Sequence, residues 1–139
     1  MSIYSYIMET NMEKYKLENN VDNLINIEAD ITSGISEIDD GTLDVILMVN
    51  VFHGFTASRK VDEAISEFSR LIKNDGRIAI MDYKKWDVPK GPPTQFRSSP
   101  DELEESFAKH GLKMTYLNEE IGEDIPEGKS HFFIVFEKE

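Results

Sequence analysis

The 139-residue sequence predicts an α/β fold: a mainly parallel sheet with helices on both faces and an antiparallel strand pair at its C-terminal end. Three observations predict it. Residues 43–55 (LDVILMVNVFHGF) run uncharged from Val45 to Val49 and then break into Asn50, His53 and Gly54. An apolar, β-branched run bounded by turn signals reads as a strand buried on both faces, the kind that parallel sheets contain. Residues 77–83 (RIAIMDY) repeat the pattern after an amphipathic stretch, so strand, helix and strand alternate. The last two strand candidates are joined without a helix, which makes them antiparallel neighbours.

Each element has its own warrant. Ile7, Met8, Met12 and Tyr15 recur at helical spacing from Ser5, and Asn19-Asn20 close that helix. Leu24, Ile25 and Ile27 form a short strand candidate, closed by Glu28-Ala29-Asp30. Residues 32–41 carry turn signals, with Ile35 and Ile38 as anchors. After the strand at 44–51, Ser58 caps a helix over 59–73 whose inward face is Val61, Ala64, Ile65, Phe68, Leu71 and Ile72. Asn74-Asp75-Gly76 supplies a left-handed stop. Residues 84–98, with three prolines, resist any regular reading. Ser98 or Ser99 caps a helix with Pro100 at its first position and Glu102 in its first turn, ending near His110. Residues 112–117 form a strand, 119–128 an acidic loop, and His131 to Phe136 the closing strand.

Composition bounds the function. The length suits one domain, spanning 1–139, and 40% hydrophobic against 30% charged residues is a folded, soluble balance. The absence of cysteine excludes disulfides and thiolate chemistry, and with no signal-peptide pattern at the start, cytoplasm is the expected compartment. A net charge of −12 disfavours nucleic acid and anionic membrane as partners. His53, His110 and His131 lack the short local spacing of a zinc site, so no metal is expected.

Polar residues past the carboxyl ends of parallel strands mark the edge where such sheets bind ligands. Asn50 and His53 follow one strand and Asp82 ends the next; His131 opens an antiparallel strand and so reaches the same edge. His53 suits proton removal near neutral pH, while its plain alternative is a structural loop histidine. Asp82 and His131 join it as catalytic candidates; Tyr83 and Arg97 complete a polar rim as substrate-binding candidates, with Gly91-Pro92-Pro93 as a lid. The bland alternative scatters all of these as caps and surface groups.

NLINIEAD, DDGTLDVILMVNVFHGF, RLIKNDGRIAIMDYKK and HFFIVFEK, in that order, resemble the class I S-adenosylmethionine-dependent methyltransferases, above all the small type 11 members. The resemblance covers nearly the whole chain. It implies a Rossmann-like three-layer sandwich and methyl transfer from S-adenosylmethionine to a small molecule. It places Asp30 and Ile31 at the adenine, and Asn50 and Val51 beside the methyl donor. It also implies a chain without the family's glycine-rich turn, since no GxGxG occurs: a truncated product, a fragment or half of a split enzyme. The strand at 44–51 would then have a bare apolar edge, covered by residues 24–27, by a second copy or by a partner chain. The alternative function is a non-catalytic methyltransferase-like subunit that binds or completes a partner.

Overall fold

The computed structural model describes residues 9–20 and 22–139, with side chains from Lys14 onward. Its elements are α1 (Glu9–Asn19), β1 (Leu43–Val49), α2 (His53–Ala57), α3 (Val61–Leu71), β2 (Ile72–Tyr83), α4 (Pro100–Ala108), β3 (Leu112–Ile125) and β4 (Gly128–Lys138). Short 3-10 turns sit at Ile31–Ser33 and Thr94–Phe96. The expected helix start at Ser5, with Ile7, Met8 and the side chain of Met12, lies outside the described residues; Tyr15 is 54% exposed.

The strands form one sheet in the order β1-β2-β4-β3. β1 and β2 are adjacent and parallel, with Ile46 opposite Ile78 and Met48 opposite Ile80. β4 is antiparallel to both β2 and β3, setting Tyr83 opposite His131. The sheet is therefore mixed, and its parallel character is confined to the β1–β2 pair.

Cross-strand partners share a face. One face carries Ile46, Met48, Ile78, Ile80, Ile134 and Phe136, all in one core with Phe68 and Leu71 of α3 and Leu103 and Phe107 of α4. Phe107 stacks on Phe136 with centroids 3.9 Å apart. The other face of β1 is open: Val45, Leu47 and Val49 are 50%, 62% and 47% exposed. The expectation of burial on both faces thus fails for β1, because α3 and α4 both pack on the same side of the sheet.

Residues 24–27 form no strand. A single bridge at Glu28 is the only ladder element there, and β1 remains at the edge of the sheet. Ile27 is buried and Ile25 is exposed, so the segment packs on the core through Ile27 without a strand ladder of its own.

The helix expected over 59–73 is shorter and preceded by another. Ala64, Ile65, Phe68 and Leu71 are its buried stripe. Ser58 ends α2 instead of starting α3, its hydroxyl donating to the Gly54 carbonyl at 3.0 Å. Asn74-Asp75-Gly76 is no helix stop either: Ile72 is already extended, and the three residues belong to β2. Gly76 is required there for space, since a Cβ would stand 3.0 Å from the Leu43 carbonyl oxygen and from the Ile72 Cβ.

The acidic stretch 119–128 is a hairpin rather than a loop. β3 runs on to Ile125, and Pro126-Glu127 turn into β4. Its charges lie on an edge strand, where exposed carboxylates are tolerated and discourage further pairing. α4 begins as expected: the Ser99 hydroxyl accepts from the Glu102 N–H at 3.2 Å, Glu102 Oε1 accepts from the Ser99 N–H at 3.0 Å, and Pro100 takes the first position.

Candidate active site at the carboxyl edge of the sheet

β1 stops at Asn50, which adopts a left-handed conformation (φ +57°) that asparagine tolerates better than most residues. Its N–H still donates to the Met81 carbonyl at 2.9 Å, so the turn begins directly off the ladder. Phe52, 2% exposed, then anchors the chain, and α2 starts at His53. Asp82, buried at the end of β2, holds that start. Its Oδ2 accepts from the His53 N–H at 3.0 Å and its Oδ1 from the Tyr83 N–H at 2.8 Å. The same carboxylate meets the His53 ring at Nδ1, 3.1 Å from Oδ1. A carboxylate only accepts, so Nδ1 donates to it, and in the neutral form of the ring the lone pair is on Nε2. The His53 side chain is 26% exposed, so that lone pair belongs to a group within reach of solvent. This is the arrangement of an oriented base.

A second network reaches the edge from β4. His131, 6% exposed, has Nε2 2.7 Å from Asn50 Oδ1 and Nδ1 2.6 Å from Ser130 Oγ. Ser130 Oγ accepts from the Glu123 N–H at 2.8 Å. With Asn50 Oδ1 as acceptor, Nε2 carries the ring proton, and the Ser130 hydroxyl donates to Nδ1; every donor in the chain has an acceptor. Burial, the largest influence, pushes the His131 pKa below its ordinary value, against the pull of Asp82 and Glu123. The ring is therefore a neutral strut between β4 and the end of β1. Gly122 makes room for it, at φ +96°, where a Cβ would stand 2.5 Å from Ser130 Oγ.

Tyr83 lies at the centre of the cluster. Its ring is 4.2 Å from that of His131 and 6.4 Å from that of His53, and the Arg97 guanidinium carbon stands 5.3 Å from its centroid. Arg97 itself is 2% exposed and donates to the carbonyls of Pro92 (2.8 Å), Lys84 (3.1 Å), Val88 (3.4 Å) and Lys90 (2.7 Å). One guanidinium thus fastens the proline-rich loop to itself. Between that loop and the hairpin tip lies a cavity of about 200 Å³, whose lining includes Tyr83, Trp86, Arg97 and His131.

Residues 3–80 match the model of the methyltransferase domain. The chain belongs to that family. No match was found among curated proteins. Among solved structures, the methyltransferase domain is similar to a putative type 11 methyltransferase from Sulfolobus solfataricus, at 24% identity and TM-score 0.69, over 99% of this chain and 70% of that one. It is similar to a SAM-dependent methyltransferase from Aquifex aeolicus at 22% identity and TM-score 0.76, over 96% of this chain and 66% of that one. A third, the trans-methyltransferase CalH in complex with SAH, gives 14% identity and TM-score 0.74, over 99% of this chain and 42% of that one. The chain thus spans between 42% and 70% of these neighbours' length, and they establish its Rossmann-like fold.

Within this methyltransferase domain, the predicted residues divide into three groups. Asn50, His53, Asp82, Tyr83, Arg97 and His131 meet at one edge, although only Tyr83, Arg97 and His131 line the cavity. Arg97, expected on a substrate rim, is instead buried under backbone carbonyls. Val51 is 46% exposed beside Asn50. Asp30 and Ile31 sit apart in their own turn, packed against α3: Asp30 Oδ1 accepts from the Thr32 N–H at 2.9 Å and the Thr32 hydroxyl at 2.7 Å. Those bonds hold the Asp30 pKa below the usual carboxylate range. The sequence reading missed Ser130, Gly122 and Trp86. A serine directly before a buried strand histidine was the available signal, obscured by reading 119–128 as a loop.

Proposed function

We propose that this domain serves S-adenosylmethionine-dependent methyl transfer to a small-molecule acceptor, with His53 as the proton acceptor. The observation that carries this is the His53–Asp82 pair at the carboxyl edge, where one buried carboxylate fixes both the backbone and the ring of the histidine. S-adenosylmethionine, when bound, supplies a methyl group on a good leaving group. The protein's tasks are then alignment and proton removal. Asp82 holds Nδ1 of His53 and so turns Nε2 away from it, toward solvent, and His131 fixes Asn50. The residues present fit a cofactor: Asp30 is ionised, with Oδ2 engaged only by Ser33 Oγ at 3.4 Å among the described residues, and Asn50 and Val51 are exposed at the strand end. Asp30 and Ile31 would hold the adenine, Asn50 and Val51 the methyl-donor end.

Calorimetry with S-adenosylhomocysteine tests the reading. Saturable binding that weakens about tenfold or more on Asp30→Ala supports it; no heat at millimolar ligand overturns it.

The second reading is a non-catalytic subunit that docks a second copy or a partner chain through the β1 edge. It rests on the outward row Val45, Leu47 and Val49 of the edge strand, with Val51 just past its end, each 46% to 62% exposed. Sedimentation separates the outcomes. A dimer that Leu47→Lys dissociates favours docking between copies, and a monomer at all concentrations removes the second copy as the occupant.

A further inference from the structure

We propose that the cavity between the 84–97 loop and the β3–β4 hairpin is a binding site for a neutral, single-ring aromatic molecule. As the acceptor's site it rests on the methyl-transfer reading; as a binding site it stands alone. Its volume of about 200 Å³ sets the size. An apolar cavity of about 150 Å³ is known to take up benzene, so one ring with a small substituent fills this one. Its walls set the chemistry: Tyr83, Trp86, Val88, Pro89, Ile125 and Pro126 are aromatic or aliphatic. A few polar groups lie among them, from Arg97, Ser130 and His131.

Charge decides the rest. A cation would seek the aromatic faces, but those already carry cations: Lys84 Nζ is 4.6 Å from the Trp86 ring and the Arg97 guanidinium carbon 5.3 Å from that of Tyr83. An anion meets a chain of net charge −12, with Glu127 lining the cavity and the one lining lysine, Lys90, already paired with Glu123. The Arg97 guanidinium does not offset this, being committed to four backbone carbonyls. A neutral ring avoids both costs.

The walls are also fixed in advance, which lowers the cost of binding. Arg97 braces the loop. Gly91 lies against Tyr83, where a Cβ would come within 2.8 Å of the ring, and Gly128 lies against Trp86, where a Cβ would come within 3.3 Å. Lys90 and Glu123 pair across the opening at 2.7 Å. His131 forms a wall and also bonds to Asn50, so the occupant lies one side chain away from the strand end.

Trp86 is the chain's one tryptophan, so its fluorescence reports on the cavity. Phenol titrated without cofactor should quench it saturably, with benzoate binding roughly tenfold or more weakly because its charge must be buried. Val88→Phe, confirmed folded by circular dichroism, should abolish the quenching by filling the space. Saturation-transfer NMR on the unaltered protein gives a readout independent of that variant, with phenol labelled and cyclohexanol not. Non-saturable quenching, equal binding of benzoate, or binding unchanged in folded Val88→Phe overturns the proposal. Because no cofactor is present, failure here leaves the S-adenosylhomocysteine result standing, and the reverse also holds.

Discussion

Replacing Asp82 with asparagine is usually a mild, isosteric change, but at this position it should be as damaging as alanine. The carboxylate accepts from two different backbone N–H groups through two different oxygens: His53 through Oδ2 and Tyr83 through Oδ1. An asparagine has one acceptor and one donor group. Whichever way it is flipped, its NH2 is set against one of those N–H groups. Asp82 is 5% exposed, so water cannot stand in. One unsatisfied buried donor costs about 1–3 kcal/mol, and loss of the charge-assisted bond to the His53 ring adds about 1 kcal/mol more. Asp82→Asn should therefore lose about 2–4 kcal/mol, and Asp82→Ala a similar amount. Urea unfolding at neutral pH, followed by circular dichroism, measures both. A loss below about 0.5 kcal/mol for Asp82→Asn, or a clearly milder effect than alanine, would show that the carboxylate does not bridge α2 and β2.

Gly122→Ala should cost about 2 kcal/mol or more, since its Cβ would stand 2.5 Å from Ser130 Oγ at a φ of +96°; thermal melting reads the loss. Glu67→Gln should cost about 2 kcal/mol at neutral pH, because Glu67 accepts from the Ile35 N–H and twice from Arg70. The bond from Arg70, above all, holds the Glu67 pKa below 4.5, so its contribution is present above 4.5 and lost as pH falls through the folded value. The stability gap between Glu67→Gln and the unaltered chain should thus close in acid, and a gap that stays constant with pH refutes the pairing. For His131 the sign is set by burial: with its folded pKa below 6.5, the unfolded chain takes up the proton first. Stability should fall as pH drops below 6.5, and His131→Gln should flatten that slope in pH-dependent urea titrations.

How far the sequence revealed these features depends on how local the deciding forces are. The β1 and β2 strands and the capped start of α4 were legible because apolar runs and the Ser-Pro-x-Glu pattern of residues 99–102 act within a few residues. The meeting of Asn50, His53, Asp82 and His131 at one edge was legible too, since strand direction alone fixes which ends lie together. Register was not. Tyr83 opposite His131 is decided by pairing 48 positions apart in the chain, and with it the stacking at the centre of the site. The bulged start of β2 was misread because Asn74-Asp75-Gly76 carries the residues of a helix stop, and only the nearness of Leu43 shows Gly76 serving steric clearance. Arg97 misled for a related reason: an arginine in a proline-rich loop looks like a ligand contact until the carbonyls it gathers are seen.

That arginine has a practical consequence. Lys84, Lys85, Lys90 and Arg97 offer trypsin four cleavage points in a stretch with no strand and no more than a 3-10 turn. A protease must draw the chain into an extended shape and take the basic side chain into its own pocket. The Arg97 side chain is already enclosed, and releasing it would free the carbonyls of residues 84, 88, 90 and 92 together. Brief digestion should therefore spare this stretch and nick exposed basic sites such as Arg59-Lys60 first, so that irregular backbone here marks a rivet rather than a seam.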